Sequence, residues 1–175
     1  MGISFSAMRK ILEQENICDL LKGRVRYFAT RYRESHDEMG RVAILIDDVE
    51  VMKSSWFIWA EKSHDIYEKT RGSHNNGLTY EEYWDKVYIE TSNQGGFDQF
   101  CFYNAFYKYQ NQSIDDNISD NEPIVRLFAV MDKRIGKRRL PFIRDAVGNQ
   151  PDWLKPFYLL RLIADKESPC KTLKP

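Results

Sequence analysis

The sequence predicts an α+β fold in which an antiparallel β-meander of three to four strands packs against helices. Residues 22–53 alternate apolar and polar side chains in three short runs that are separated by turn-forming residues. Most of the remaining chain shows the spacing of apolar residues that is typical of helices. With 175 residues, of which 42% are hydrophobic, the chain can bury a proper core. We expect one globular domain over residues 1–167 and a loose tail over 168–175.

The N-terminal part is predicted to hold a short helix followed by the first two strands. Ser6 is a candidate N-cap, and the helical turns that follow should end at Gly23. The first strand is predicted over residues 24–33 and the second over 41–46. Because the second strand is apolar on both faces, it should be the central strand of the sheet.

The sheet is predicted to continue through a tight turn. Asp47 and Asp48 are turn-forming residues between two strand-like runs, and a third strand should follow over residues 49–53. Residues 56–60 could supply a fourth strand. Residues 61–78 are polar and glycine-containing, which predicts a mobile connection rather than a regular element.

Four helices are predicted in the second half of the chain. Thr79 and Glu82 have the spacing of a capping box, which predicts a helix that reaches about Thr91. A break at residues 94–96 should separate it from the next helix. The other three helices are predicted over residues 97–110, from a cap at Asp120 or Asn121 to an exit at Gly136, and over 156–166.

The predicted helix over residues 97–110 is aromatic on two opposite sides. Phe102, Phe106 and Tyr109 fall on the side opposite the one that holds Phe97, Phe100, Tyr103 and Tyr107. A helix with two apolar faces is either sandwiched inside a domain or forms half of an interface. Phe102, Phe106 and Tyr109 are therefore candidate interface aromatics.

Two groups of basic residues are candidates for a binding surface. Arg24 and Arg26 lie on one face of the first strand, which also carries Tyr27, Phe28 and Tyr32, and these cations and rings could meet phosphates and bases. An edge strand that is kept soluble by charge explains them equally simply. The second group, in the segment DKRIGKRRL over 132–140, consists of Arg134, Lys137, Arg138 and Arg139. It could bind phosphate or an acidic partner, or it could complement a helix C-terminus, and for both groups we favour the structural explanation.

No pattern in the sequence indicates catalysis, a metal or a cofactor. Asp47, Asp48 and Glu50 lie near Lys53, but this spacing fails the nuclease pattern, in which an acid is separated from lysine by one residue. The three histidines are placed in surface loops, without the partners that a zinc site or a nucleophile requires. No glycine-rich phosphate loop occurs. We therefore expect no catalytic residue, metal or cofactor.

Composition limits the location and the partners. The chain has 26 basic and 26 acidic residues, which argues against a dedicated nucleic-acid or membrane binder. Its three cysteines are widely spaced and odd in number, as expected for free thiols in a reducing compartment. No apolar run is long enough to cross a membrane. These observations predict a cytoplasmic protein.

Two stretches of the sequence resemble a family of small bacterial hypothetical proteins. The resemblance rests on K-G-R-V-x-Y from Lys22 and on D-x-R-x-G-K-R-R-L from Asp132, together with Arg161. It covers the first fifty residues and roughly 113–165, but not clearly 54–96. The resemblance implies a bacterial cytoplasmic origin and carries no activity, cofactor or catalytic residue with it.

These observations favour a non-enzymatic protein–protein interaction module, whose partner is another protein or a second copy of the chain. A toxin-neutralising immunity protein is one form of such a module, since it needs no active site. Arginine and aromatic residues anchor protein interfaces, and this chain is rich in both. The alternative is a nucleic-acid-binding protein that uses the first strand together with residues Lys137 to Arg139.

Overall fold

The computed structural model describes residues 2–30, 40–70 and 77–167. Within these ranges the chain forms three strands and eight α-helices, with a π-helical turn at Ile11–Glu15 and 3₁₀ turns at Asp19–Leu21 and Val147–Asn149. The strands and helices are α1 (Phe5–Lys10), β1 (Val25–Ala29), β2 (Arg41–Ile46), β3 (Val49–Ser55), α2 (Trp56–Thr70), α3 (Tyr80–Asn93), α4 (Gln99–Asn111), α5 (Ile114–Ile118), α6 (Pro123–Met131), α7 (Leu140–Ala146) and α8 (Lys155–Glu167).

The described strands form an antiparallel sheet in the order β1-β2-β3, which confirms the α+β prediction and the central position of β2. Asp47 and Asp48 form the β2–β3 turn with φ angles of 49° and 67°. This left-handed backbone is one that aspartate tolerates and that matches the twist of a hairpin. A bulge between Ile44 and Leu45 shifts the register of β3.

The predictions for residues 56–70 are wrong, whereas residues 77 and 78 lie in an irregular connection, as predicted. The segment 56–60 is not a fourth strand but the start of α2, which continues through the predicted connection to Thr70. Ser55 supports the start of this helix, because its hydroxyl accepts a hydrogen bond from the Ile58 amide (3.4 Å). The polar residues that suggested a connection lie instead on the exposed side of the helix. Residues 71–76 lie outside the described ranges.

Helix ends were predicted with mixed success. The capping box of Thr79 and Glu82 is confirmed, and the glycine break follows α3. Ser4, not Ser6, caps α1. The N-cap of α6 is Glu122 rather than Asp120 or Asn121, and the helix ends at Met131 instead of Gly136. The short helices α5 and α7 were not predicted.

The core is organised around α6. Every residue of this helix except Arg126 is buried, because α3, α4, α5 and α8 all pack on it. Phe128 meets Tyr27, Phe102 and Tyr109 edge-on, with ring centroids 5.3–5.7 Å apart. The main core contains buried residues from Met8 to Ala164 and thus draws on nearly the whole described chain.

Helices α2 and α3 form a hairpin with a small cluster of its own. Ile66, Tyr83 and Val87 are buried there, apart from the main core. Tyr67 stacks on Trp84 with parallel rings and a centroid distance of 5.5 Å. A cleft between this hairpin and the start of α6 is one consequence of this arrangement.

Candidate functional site

The two strand arginines are paired with the hairpin turn. Arg24 binds both carboxylate oxygens of Asp47 at 2.9 and 2.8 Å, and Arg26 pairs with Asp48. The Arg24 guanidinium lowers the pKa of the Asp47 carboxyl. These charges therefore stabilise the turn, since each cation faces an aspartate that the turn brings within reach.

The segment over 132–140 is held by a buried aspartate. Asp132 is 1% exposed and accepts hydrogen bonds from the Arg134 amide (2.7 Å) and the Arg134 Nε (2.9 Å). The Tyr109 hydroxyl donates to the same carboxylate. Arg139 reaches Asp115 through two bonds of 2.6 and 2.7 Å, which lowers the pKa of that carboxyl. Two of the four predicted cations here thus have partners within the chain.

Lys137 and Arg138 differ from the other predicted binding residues. Both are exposed, and neither makes a hydrogen bond or an ion pair with any residue that the structure describes. The structure brings Arg24 beside Arg26 at the β2–β3 turn, while Arg139 contacts the Arg134 carbonyl at 3.4 Å. Across the described ranges, no ion pair or hydrogen bond joins the strand group to the second group.

Arg161 explains the conformation of the segment after α6. It is 1% exposed and donates to the carbonyl oxygens of Val130 (3.1 Å), Asp132 (2.8 Å) and Ile135. Asp165, one turn further along α8, pairs with it at 2.5 Å. Buried carbonyls need such partners, so Arg161 replaces the helical hydrogen bonds that end at Met131. The conspicuous basic segment is therefore in large part a structural element.

The three candidate interface aromatics lie inside the molecule. Phe102, Phe106 and Tyr109 are 0%, 2% and 1% exposed and belong to the main core. Although Phe100 and Tyr107 on the opposite side of α4 are 46% and 39% exposed, the side that holds the three candidate aromatics packs against the sheet and α6. These side chains consequently offer no surface to a partner.

Metal-ligating and nucleophilic groups are not clustered in the described parts of the chain. In these ranges, no group of three or more His, Cys, Asp or Glu residues could hold a metal ion. Cys18 and Cys101 are buried free thiols, and burial raises the pKa of Cys101 to about 12. His64 is exposed on α2, whereas His36, His74 and Cys170 lie outside the described ranges.

An exposed surface that the sequence did not indicate lies at the outer side of the sheet. Arg41 borders two adjoining cavities of about 130 and 260 Å³. We call this region the Arg41 surface; its lining includes Phe28, Arg41, Leu45, Glu50, Lys53, Phe57 and Ile58. Phe28 is 37% exposed and Phe57 is 73% exposed.

The Arg41 surface combines aromatic rings with paired charges. The guanidinium of Arg9 lies 5.2 Å from the Phe28 ring and that of Arg26 lies 5.9 Å from it. Arg41 pairs with Glu50 across the strands. One signal is available in the sequence, since β2 is apolar on both faces. The position of Phe57 does not follow from the sequence, which favours a strand over residues 56–60.

A cleft with a volume of about 960 Å³ lies beside the α2–α3 hairpin. The hairpin lines it with apolar side chains and with polar ones such as Lys86 and Glu90, and polar side chains from the start of α6 and from residues 149–150 line the other side. No sequence pattern predicted this cleft, because it arises from the packing of the hairpin against the body.

The chain belongs to the SF0329 protein family, whose model matches residues 4–162. The matched range includes residues 54–96, which the resemblance described above does not clearly cover. Comparisons with curated proteins and with solved structures gave no match. In the described residues, no helix is both long enough and apolar enough to cross a membrane.

Proposed function

We propose that this protein is a non-enzymatic protein–protein interaction module that binds its partner through the Arg41 surface. The observation that carries the proposal is the exposure of Phe57 and Phe28 around an arginine whose charge is already paired. Protein interfaces are anchored by aromatic and arginine side chains and are depleted in unpaired charge at their centre. The proposal includes a toxin-neutralising role, which requires no active site. It also includes a location in the bacterial cytoplasm.

The test is a pull-down from native lysate with the wild-type chain and two matched variants. Phe57→Ala removes the more exposed of the two aromatic residues of the Arg41 surface. Tyr80→Ala removes an aromatic side chain of similar exposure, 68%, from the α2–α3 hairpin. A hot-spot side chain contributes about 2 kcal/mol or more, so Phe57→Ala should weaken the partner's affinity roughly 30-fold. Tyr80→Ala should leave it unchanged.

Two results would count against the proposal. A chain that stays monomeric and retains no stoichiometric partner would contradict it. A partner that binds Phe57→Ala as tightly as the wild type would show that the Arg41 surface is not the binding site.

Nucleic-acid binding is the second candidate, favoured by the exposed and unpaired Lys137 and Arg138. Each phosphate contact steepens the salt dependence of the association constant by about 0.9 in logarithmic slope. The double variant Lys137→Ala/Arg138→Ala should therefore reduce the slope by almost two for a short DNA duplex. Absence of binding at about 50 mM salt would end this alternative.

A further inference from the structure

The cleft beside the α2–α3 hairpin has the size and the lining of a binding groove. Its volume of about 960 Å³ lies at the upper end of the roughly 300–1,000 Å³ that small-molecule sites occupy. The hairpin contributes apolar side chains to one wall, namely Ile66, Leu78, Val87 and Ile89. We call this cleft the hairpin groove.

The hairpin groove is also rich in carboxamides. Asn93 and Gln94 line it at the end of α3, and Asn121, Asn149 and Gln150 line it on the opposite side. In the described ranges the side chains of these three asparagines make no hydrogen bond, and Asn121 and Asn149 are exposed. A carboxamide donates and accepts hydrogen bonds with the same geometry as a peptide group. The three asparagines are thus free to pair with the main chain of another polypeptide.

The charges of the groove favour a neutral ligand over an anionic one. Arg126 donates to Gln150 (2.9 Å) and to the carbonyl oxygens of Asp120 and Asn121 (2.5 and 2.9 Å). These N–H groups of the Arg126 guanidinium therefore already have hydrogen-bond acceptors within the protein. Lys86 and Glu90 carry opposite charges four residues apart on α3. The groove therefore offers little free positive charge to offset a phosphate group. A chain of uncharged peptide groups needs no such charge.

We infer that the hairpin groove binds an extended polypeptide segment of a partner protein. Its backbone amides pair with Asn93, Asn121 and Asn149, and its alternate apolar side chains contact the partly exposed Leu78 and Ile89. Main-chain hydrogen bonds then supply affinity, and the apolar wall supplies selectivity. This surface is separate from the Arg41 surface, so either proposal can fail without the other.

The experiment selects short peptides from a displayed random library on the immobilised chain and then measures their affinity for four variants. Asn121→Ala and Asn149→Ala each remove one main-chain contact and should weaken a selected peptide roughly 3- to 10-fold. Asn104→Ala, at an exposed asparagine of α4 outside the groove, is the matched control and should have no effect. Phe57→Ala should also leave the peptide affinity unchanged.

A second measurement addresses the main chain of the peptide directly. N-methylation of alternate peptide groups keeps the side chains but removes donors, so it should abolish binding. The inference is overturned if the selection yields no peptide with a dissociation constant below about 1 mM. It is also overturned if N-methylation is harmless, or if both groove variants bind like the wild type.

Discussion

The main core and the α2–α3 hairpin are stabilised in different ways. The main core joins residues from both ends of the described chain around α6, with aromatic rings meeting edge-on. The hairpin joins two helices that are neighbours in sequence, and among its described residues the buried cluster consists of Ile66, Tyr83 and Val87. A small cluster that is separate from the core contributes less to global stability. The contrast predicts that the α2–α3 hairpin opens at a lower free energy than the main core.

The largest effect is expected from Arg161→Ala, which should lower the free energy of unfolding by roughly 3–5 kcal/mol. The change leaves the carbonyls of Val130, Asp132 and Ile135 without their buried donor. Chemical denaturation monitored by circular dichroism measures it. Arg144→Ala, at an exposed arginine of α7, is the control and should stay within about 0.5 kcal/mol of the wild type. Equal effects of the two changes would refute the structural role of Arg161.

The second prediction compares the two clusters directly. Phe128→Ala should cost about 3–5 kcal/mol, because a ring that is 1% exposed leaves a cavity in the main core. Trp84→Ala removes a half-buried ring and its stack on Tyr67 and should cost about 1–2 kcal/mol. Hydrogen exchange should quicken throughout the molecule in the first variant but mainly in α2 and α3 in the second. Uniform acceleration in both would show that hairpin and body unfold as one unit.

The third prediction concerns two tyrosines of the main core that differ in one respect. The Tyr109 hydroxyl donates to Asp132 and accepts from Asn16, whereas the Tyr27 hydroxyl finds no partner among the described residues. Tyr109→Phe should therefore cost about 1–3 kcal/mol, while Tyr27→Phe should be neutral or stabilising. Thermal and urea unfolding of both variants test this pair. A destabilised Tyr27→Phe would mean that this hydroxyl has a partner after all.

The smallest expected effect is a pH dependence of the free energy of unfolding, caused by Glu122 at the N-cap of α6. Burial raises the pKa of this carboxyl above its ordinary value of 4.5, although Tyr88 donates to it at 2.8 Å and Lys108 opposes the shift. A raised pKa in the folded state favours the protonated form. Glu122 therefore stabilises the fold at pH values below 4.5, and this contribution is lost as the pH rises through the folded-state pKa.

Glu122→Gln is the matching substitution, because its amide oxygen still accepts the Tyr88 hydrogen bond. The difference in unfolding free energy between variant and wild type should grow in favour of the variant as the pH rises from 4 to neutrality. Urea titrations at several pH values measure this difference. A constant difference would show that the fold does not perturb Glu122.

The sheet and most helices could be predicted because each rests on local signals. The alternation of β2, the Thr79–Glu82 capping box and the apolar stripe of α6 lie within short windows of sequence. Helix α2 could not be predicted in this way, since its polar face and its WFIWA start resemble a strand followed by a loop. Tertiary contacts with β3 and α3 decide its structure.

The candidate surfaces were harder to predict than the fold. Arg24 and Arg139 are conspicuous in the sequence, but only the folded chain brings Asp47 and Asp115 to them. Asn93, Asn121 and Asn149 are inconspicuous, yet packing places them along one groove. A run of charges is visible in the sequence. The formation of ion pairs and of a groove depends on the folded structure.

The hydrogen bonds from Arg161 to three backbone carbonyls have a consequence for synthesis of the chain on the ribosome. These carbonyls lie 26 to 31 residues before the arginine. A nascent chain that has emerged only as far as α7 contains all of α6 but not the group that satisfies the end of that helix. We therefore expect the emerging polypeptide to stay loosely collapsed until α8 leaves the exit tunnel, and native packing to follow only then.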